Sequence, residues 1–278
     1  MKKKIFFFTV ARSDFGILSN ILEYLKSKKN IEVNLVVGSA HKKKIFGETK
    51  NDIKKKFFDK IFFVNYNFNS YNINKNISNI IKTYDNFLIK KKKLIDAVFI
   101  LGDRYEMLSI SLICKNYHIP IFHYGGGCET QGSLDNTYRK SISNMANIHY
   151  VETKNQKENL IKINLKKNIY VVGSQSLENK FELFNKKKFE KLCNIKFNND
   201  KKIITACFHA DTTKKFYENI KNLKTFLKFL VSSKSNIVLT YPNADLHYEE
   251  YIKCIEKYKN RENFFLIKHL GKQKYLSN

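Results

Sequence analysis

The chain has 278 residues, 43% of them hydrophobic and 27% charged, with a formal net charge of +26. That length admits one large domain or two ordinary ones with a sizeable core. The composition argues against a disordered polymer, and no apolar run approaches the ~18 residues of a membrane-crossing helix. The charge raises the question of nucleic acid. The lysines, however, are scattered in short runs such as Lys42 to Lys44, Lys54 to Lys56, Lys90 to Lys93 and Lys186 to Lys188. Asn, Ile, Phe and Tyr are abundant beside them, as A/T-rich codons would produce, so most lysines read as solvated helix faces and loops. The expectation is no specific nucleic-acid partner, no membrane, and a positive field that favours an anionic substrate. The five cysteines, Cys114, Cys128, Cys193, Cys207 and Cys254, form no C-x-x-C pair. This fits a reduced, cytoplasmic protein without a disulfide framework or zinc site.

Met1-Lys2-Lys3-Lys4 followed by Ile5 to Val10 imitates a signal peptide, but the apolar part is short and runs into Arg12 and Asp14 without a small-residue cleavage site. It reads as a first buried strand. Phe15, Leu18, Leu22 and Leu25 follow at helical spacing, so a helix starts near Asp14. Ile31 to Val37 is a second strand, followed by a loop with Gly38, His41, Phe46, Gly47 and Thr49. Ile61 to Val64 is a short strand, Asn65 to Asn76 an irregular loop and Ile77 to Leu88 a helix. Ala97 to Leu101 is an apolar run of buried-strand length that Gly102, Asp103 and Arg104 break. Met107, Leu108, Ile110 and Leu112 then give a helix, and Ile119 to Phe122 a strand ending at His123. Strand, helix and strand at this spacing form a βαβ unit. A loop with Gly125 to Gly127 leads to Glu129, Asp135 and Arg139. A helix through Ile142 and Met145, a strand at Ile148 to Val151, a helix at Asn155 to Ile163 and a strand at Ile169 to Val172 complete the first half.

A fresh cycle begins near Lys201. Ile203 to Phe208 is a strand ending at His209, and Phe216, Ile220, Leu223, Phe226, Leu227 and Leu230 line a helix. Ile237 to Tyr241 is a strand ending in Pro242-Asn243-Ala244-Asp245, Tyr248 to Tyr258 a helix and Phe264 to Ile267 a strand. The alternation implies an α/β protein with doubly wound parallel sheets. The domain boundary falls between Gly173 and Lys201, giving an N-terminal Rossmann-like domain over 1–175 and a C-terminal one over 176–278.

In open parallel sheets, ligands bind beyond the carboxyl ends of the strands, where Asp103, His123 and Glu129 fall. Each has a plainer reading. Asp103 can be a turn residue or helix cap, Asp135 after Gly132-Ser133 a turn or N-cap, and His123 a satisfied interior histidine. Arg139 follows Asp135 at i,i+4 spacing, where a structural ion pair forms readily. Arg12 at a strand end beside a helix N-terminus suits a phosphate or carboxylate, or is a surface residue. No P-loop or dinucleotide fingerprint occurs, nor a nucleophile elbow.

These residues also carry a resemblance. LGDRYEM, then H-Y-G-G-G with Glu129, Asp135 and Arg139, is similar to the hydrolysing UDP-N-acetylglucosamine 2-epimerases of sialic and legionaminic acid synthesis. TVARSDFGIL, VGSQSLEN, TYPNAD and HLGKQKYLS extend the likeness in order over the chain. It implies a GT-B-like fold of two Rossmann-like domains, the first carrying most catalytic residues and the second incomplete. It implies elimination of UDP with removal of the sugar C2 proton, then hydration of the glycal. Asp103, Glu129 and Asp135 are the implied catalytic carboxylates. Arg12, Asp14, His123, Arg139, His209, Asn243 and Asp245 are the implied substrate-binding residues. A UDP-sugar is the implied partner, with a homodimer in the complete form and no cofactor or metal. The family pattern Gly-Gly-Glu reads here Gly126-Gly127-Cys128-Glu129. Either Cys128 stands at the glutamate or Glu129 supplies it after a one-residue slip; the second is preferred, because a thiol is a poor substitute for a carboxylate in proton transfer. HLGKQKYLSN normally leads into a phosphate-binding loop and a final helix, so a truncated chain, inactive alone, is expected. A GT-B glycosyltransferase and a noncatalytic nucleotide-sugar-binding protein are the alternatives.

Overall fold

Parallel strands covered on both faces read as near-continuous apolar runs, and the runs of this chain become such strands. The computed structural model describes residues 2–42, 50, 53–177, 182–198, 201–243 and 245–271. They fall into two compact units, one up to residue 177 and one from residue 182. Phe46, Gly47, Thr49, Ala244, residues 272–278 and the Arg12 side chain, all used in the sequence reading, lie outside the described residues.

The first unit alternates strand and helix: β1 (Lys3–Thr9), α1 (Arg12–Lys26), β2 (Ile31–Gly38), β3 (Lys60–Val64), α2 (Ile73–Leu88), β4 (Ala97–Leu101), α3 (Tyr105–Asn116), β5 (Ile121–Tyr124), α4 (Asp135–Met145), β6 (Ile148–Val151), α5 (Lys154–Lys162) and β7 (Ile169–Val171). Its seven described strands are all parallel in the order β3-β2-β1-β4-β5-β6-β7. The chain runs outward from β1 to β3 and then returns to place β4 on the other side of β1. That reversal opens a crevice at the carboxyl ends of β1 and β4, where open α/β sheets bind ligands.

Side chains alternate across the sheet, so neighbours in one strand enter different cores. Phe8, Val36 and Ile100 pack under Ile80 and Tyr84 of α2 and Met107 and Ile110 of α3. Phe7, Leu35 and Phe99 meet Leu18 and Leu22 of α1 on the other face, with the Phe7 and Phe99 rings stacked at 5.1 Å. Each such fully buried side chain contributes roughly 1.5–3 kcal/mol relative to exposure.

Two boundaries depart from the sequence expectation for local reasons. Helix α2 starts at Ile73, four residues before the expected Ile77, because the Asn72 side chain accepts the Lys75 N–H at 2.9 Å and caps it. Strand β5 begins at Ile121 and not at Ile119, because Pro120 has no N–H to give the ladder; its carbonyl instead takes the Val98 N–H at 2.8 Å. At the other end the ladder continues to Tyr124, opposite Leu101 and Tyr150, so His123, expected at the strand end, lies inside β5, opposite Ile100 and His149.

The second unit holds α6 (Lys186–Cys193), β8 (Ile203–Cys207), α7 (Phe216–Ser232), β9 (Asn236–Thr240), α8 (Tyr248–Glu256) and β10 (Phe264–Ile267). Its three described strands are parallel in the order β10-β9-β8. Leu223, Leu227 and Leu230 of α7 pack on Ile237 and Leu239 of β9 and Ile255 of α8. Helix α6 was not anticipated from the lysine run at its start. Asn185 caps it by accepting the Lys188 N–H at 2.9 Å, and Phe189 is buried against the Phe197 ring. Among the described residues no helix is long and apolar enough to cross a membrane.

Two features fix the ends of the first unit's strands. Past β7, the Tyr124 hydroxyl donates to Glu152 Oε1 at 2.8 Å and accepts the Gln175 N–H at 2.9 Å. Ser174 Oγ donates to the same Glu152 oxygen at 3.0 Å, and the Asn20 amide reaches the Gln175 carbonyl at 3.4 Å. Past β5, Gly127 has φ +74 and lies so near α5 that a Cβ would stand 2.1 Å from the Gln156 carbonyl oxygen. Only glycine fits both the left-handed backbone and that approach. Gly127→Ala is expected to lower stability by about 2 kcal/mol or more, combining backbone strain with overpacking. Urea unfolding measures this, and an unchanged midpoint would mean that the loop does not rest on α5.

Candidate active site

The residues at the β1–β4 crevice are held by buried charge. Arg139, on α4, is only 5% exposed. A guanidinium removed from water must have its donors met, and three acceptors meet them. Nη2 donates to Asp103 Oδ2 in an ion pair. Nη1 donates to the Cys128 carbonyl and to Asn136 Oδ1, both at 2.7 Å. Asn136 is in turn tied to the loop through the Thr130 N–H at 2.9 Å and the Thr130 carbonyl at 2.6 Å. One cation thus fixes the turn after β4, the glycine loop after β5 and the first turn of α4. Asp103 Oδ1 has no hydrogen bond among the described residues, and the Asp103 side chain is 27% exposed. A carboxylate anchored by one oxygen and open at the other can receive a proton.

His123 is fully buried between these parts. Its Nε2 lies 2.8 Å from the Gly102 carbonyl and its Nδ1 3.1 Å from Ser143 Oγ. Burial, reinforced by the charges of His149 and Arg139, pushes its pKa down to about 4, against the lesser opposing pull of the Gly102 carbonyl.

Asp14, in the first turn of α1, is 6% exposed. Its Oδ2 accepts the Val10 and Ala11 N–H groups, each at 2.9 Å. The carboxylate therefore closes the turn between β1 and α1 by binding that turn's own backbone. Burial raises its pKa to about 6, overcoming the nearby Arg104 charge and both N–H bonds. Beside it, Arg104 forks onto Glu106 with two bonds of 3.1 Å, and Glu106 is 2% exposed in the first turn of α3. Tyr84 adds a buried hydroxyl without a hydrogen-bond partner among the described residues; burial first, then Glu106 and Asp14, push its pKa up.

The other expected residues are placed differently. The Glu129 side chain is 62% exposed and pairs with Lys140 at 3.3 Å. Asp135 opens α4, in the place of a first-turn carboxylate. In the second unit, His209 lies beyond the end of β8, exposed, and Asn243 and Asp245 lie beyond the end of β9. Cys207 and Thr240 are opposite in register, so all three belong to one edge of that sheet. Among the described residues no three His, Cys, Asp or Glu side chains gather as a metal site. Sequence reasoning passed over Ser143, Glu106 and Asn136. Ser143 could have been found, because it lies one turn past Arg139 on the same face of α4.

Residues 23–278 match the UDP-N-acetylglucosamine 2-epimerase family. The chain is 31% identical to the GDP/UDP-N,N′-diacetylbacillosamine 2-epimerase (hydrolyzing) of Campylobacter jejuni, over 99% of this chain and 73% of the relative. It is 25% identical to the UDP-N,N′-diacetylbacillosamine 2-epimerase (hydrolyzing) of Legionella pneumophila, over the same shares. The UDP-GlcNAc 2-epimerase of Neisseria meningitidis, solved bound to UDP-GlcNAc, superposes with a TM-score of 0.75 at 19% identity, covering 99% of this chain and 74% of that one. That likeness fixes the fold class, two parallel-sheet α/β units of the GT-B-like kind.

The buried Asp14 carboxyl has a consequence for stability. Because its folded pKa, about 6, lies above the ordinary 3.8, the folded state holds this proton more tightly than the unfolded chain does. That contribution is complete below pH ~4 and is lost as pH rises through ~6, amounting to at most about 3 kcal/mol. Asp14→Asn keeps an oxygen for both N–H groups and has nothing to ionise. Its melting temperature relative to the parent is expected to climb between pH 4 and 7 and then level off. Parallel melting curves across that range would show that Asp14 is not the group responsible.

Proposed function

The chain belongs to the UDP-N-acetylglucosamine 2-epimerase family, and from that premise we propose that it is a hydrolysing 2-epimerase of a UDP-N-acetylhexosamine. The favoured substrate is UDP-N,N′-diacetylbacillosamine, a 2,4-diacetamido-2,4,6-trideoxyhexose, because two relatives that match 99% of the chain carry that name. UDP-GlcNAc is the second candidate. The observation that carries the reading is the Asp103–Arg139 pair at the topological switch point, with one carboxylate oxygen open.

In the proposed reaction a base takes the C2 proton while the bond from C1 to the diphosphate oxygen breaks. UDP leaves with the electron pair and a C1=C2 glycal forms. Water then adds, hydroxyl to C1 and proton to C2 from the opposite face, which releases the inverted free sugar. The C2 proton beside an N-acetyl group is weakly acidic, so the base must be positioned. Asp103 is the carboxylate that the geometry supports best for this work. Glu129 is carried as the second carboxylate and Asp135 as the third, although the exposure of Glu129 leaves position 128 as its rival. Arg139 orients Asp103 and the loop. Arg12 and Asp14 on the first unit, and His209, Asn243 and Asp245 on the second, are proposed to serve the nucleotide sugar, with Asp14 acting through the turn that it closes.

The test is incubation of the protein with each UDP-sugar and no acceptor, followed by NMR. Release of UDP together with the free 2-epimer supports this reading and overturns the sequence expectation that the chain is inactive alone. UDP binding without turnover would favour a noncatalytic protein, and sugar transfer only when an acceptor is added would favour a glycosyltransferase. Asp103→Asn is expected to lower kcat by about 10²-fold or more while UDP still binds. Glu129→Gln and Cys128→Ala decide the register: a fully active Glu129→Gln beside an inactive Cys128→Ala would assign the role to position 128.

A further inference from the structure

We infer that His123 is a positioning residue, an imidazole strut that braces the Gly102–Asp103 turn against helix α4 and so sets the geometry of the Asp103–Arg139 pair without touching substrate. This inference rests on the reading of that pair as catalytic machinery.

The ring lies within β5, fully buried, and both of its nitrogens are occupied. A carbonyl oxygen can only accept, so the 2.8 Å contact to Gly102 requires the hydrogen on Nε2. Nδ1 then accepts from the Ser143 hydroxyl at 3.1 Å. No lone pair or N–H remains for a sugar hydroxyl, a phosphate or a water. A second proton is opposed by burial, by Arg139 on α4 and by His149 on β6. His149 is itself buried, with Nδ1 unpartnered among the described residues, and burial lowers its own pKa. The strut is also sealed from above. A Cβ on Gly126 would stand 2.8 Å from Ser143 Oγ and 3.2 Å from His123 Nδ1, so a side chain there would push the two apart.

Each end of the strut is one step from a member of the pair. Gly102, with φ +80, directly precedes Asp103. Ser143 is one helical turn beyond Arg139. A shift of either end therefore moves the carboxylate relative to the guanidinium, and misplacement by about 1 Å can cost ~10²-fold in rate. A histidine serves better than an amide because its two nitrogens point in divergent directions across the ring, one toward β4 and one toward α4.

The direct test is nitrogen-15 NMR of the full chain labelled at histidine, with the His123 signals assigned by their loss in His123→Gln or, should that variant not fold, by their shift in Ser143→Ala. The expected result is a single Nε2–H tautomer that does not titrate between pH 5 and 8 and keeps its tautomer when UDP is added. A ring that titrates in that range, or the Nδ1–H tautomer, would overturn the inference whether or not any UDP-sugar is turned over. The kinetic arm uses whichever UDP-sugar the parent hydrolyses. Ser143→Ala is expected to lower kcat about 10-fold, with KM within about 2-fold and the pH profile unchanged in shape. Loss of a pH-profile limb in His123→Gln would make His123 an acid or base and sink the strut. If the parent turns over neither sugar, the reaction assignment fails while the tautomer result still judges the strut.

Discussion

A guanidinium cannot be left unpaired in a protein interior, and Arg139 is almost entirely enclosed. Its donors take Asp103 from the end of β4, the Cys128 carbonyl from the loop after β5 and Asn136 from its own helix. Asp103 lies 36 residues before Arg139 and Cys128 lies 11 before it, so the cation ties the end of one strand to the loop after the next. Breaking such a pair by deleting one partner leaves a buried charge and typically costs 3–5 kcal/mol. The residues that give the site its chemistry are therefore also part of what holds its shape, and loss of activity in a variant of Arg139 would not by itself report on catalysis.

Much of the fold was legible because buried parallel strands announce themselves as apolar runs. β4, β6 and β10 fall where those runs fall. The departures came where a single residue overrides the run. Pro120 shortens β5 from its start and Asn72 starts α2 early, while pairing with β4 and β6 carries β5 on through His123 to Tyr124. Helix α6 stayed hidden because Lys186 to Lys188 mask a stripe whose only fully buried member in the helix is Phe189. The site was legible as a set of residue types at strand ends, and the grouping of Asp103 with Arg139 is a tertiary fact that no spacing contains. Glu129 is the instructive case. Charge and motif drew attention to it, while the backbone of its neighbour Cys128 is what the guanidinium grips.

The crevice contains two kinds of carboxylate. Asp14 and Glu106 are enclosed and engaged with backbone or arginine, whereas Asp103 is partly open. Enclosed acids set the shape of the strand ends, because a poorly solvated carboxylate holds its partners firmly. The open one is left to meet solvent or a ligand. The scattered lysines, by contrast, mostly end in water or in exposed ion pairs such as Lys3–Asp96 and Lys56–Glu23. Pairs of that kind contribute little to stability.

The Tyr124 hydroxyl gives the first unit a mechanical property. It joins the strand that carries His123 to the segment that leaves β7, by way of Glu152, Ser174 and the Gln175 amide, and Asn20 holds the far side of Gln175. Residues 173–175 consequently have no slack of their own, despite the positive φ of Gly173. A pull on the chain beyond Gln175 would be transmitted as a load on β5 through the Tyr124 hydroxyl.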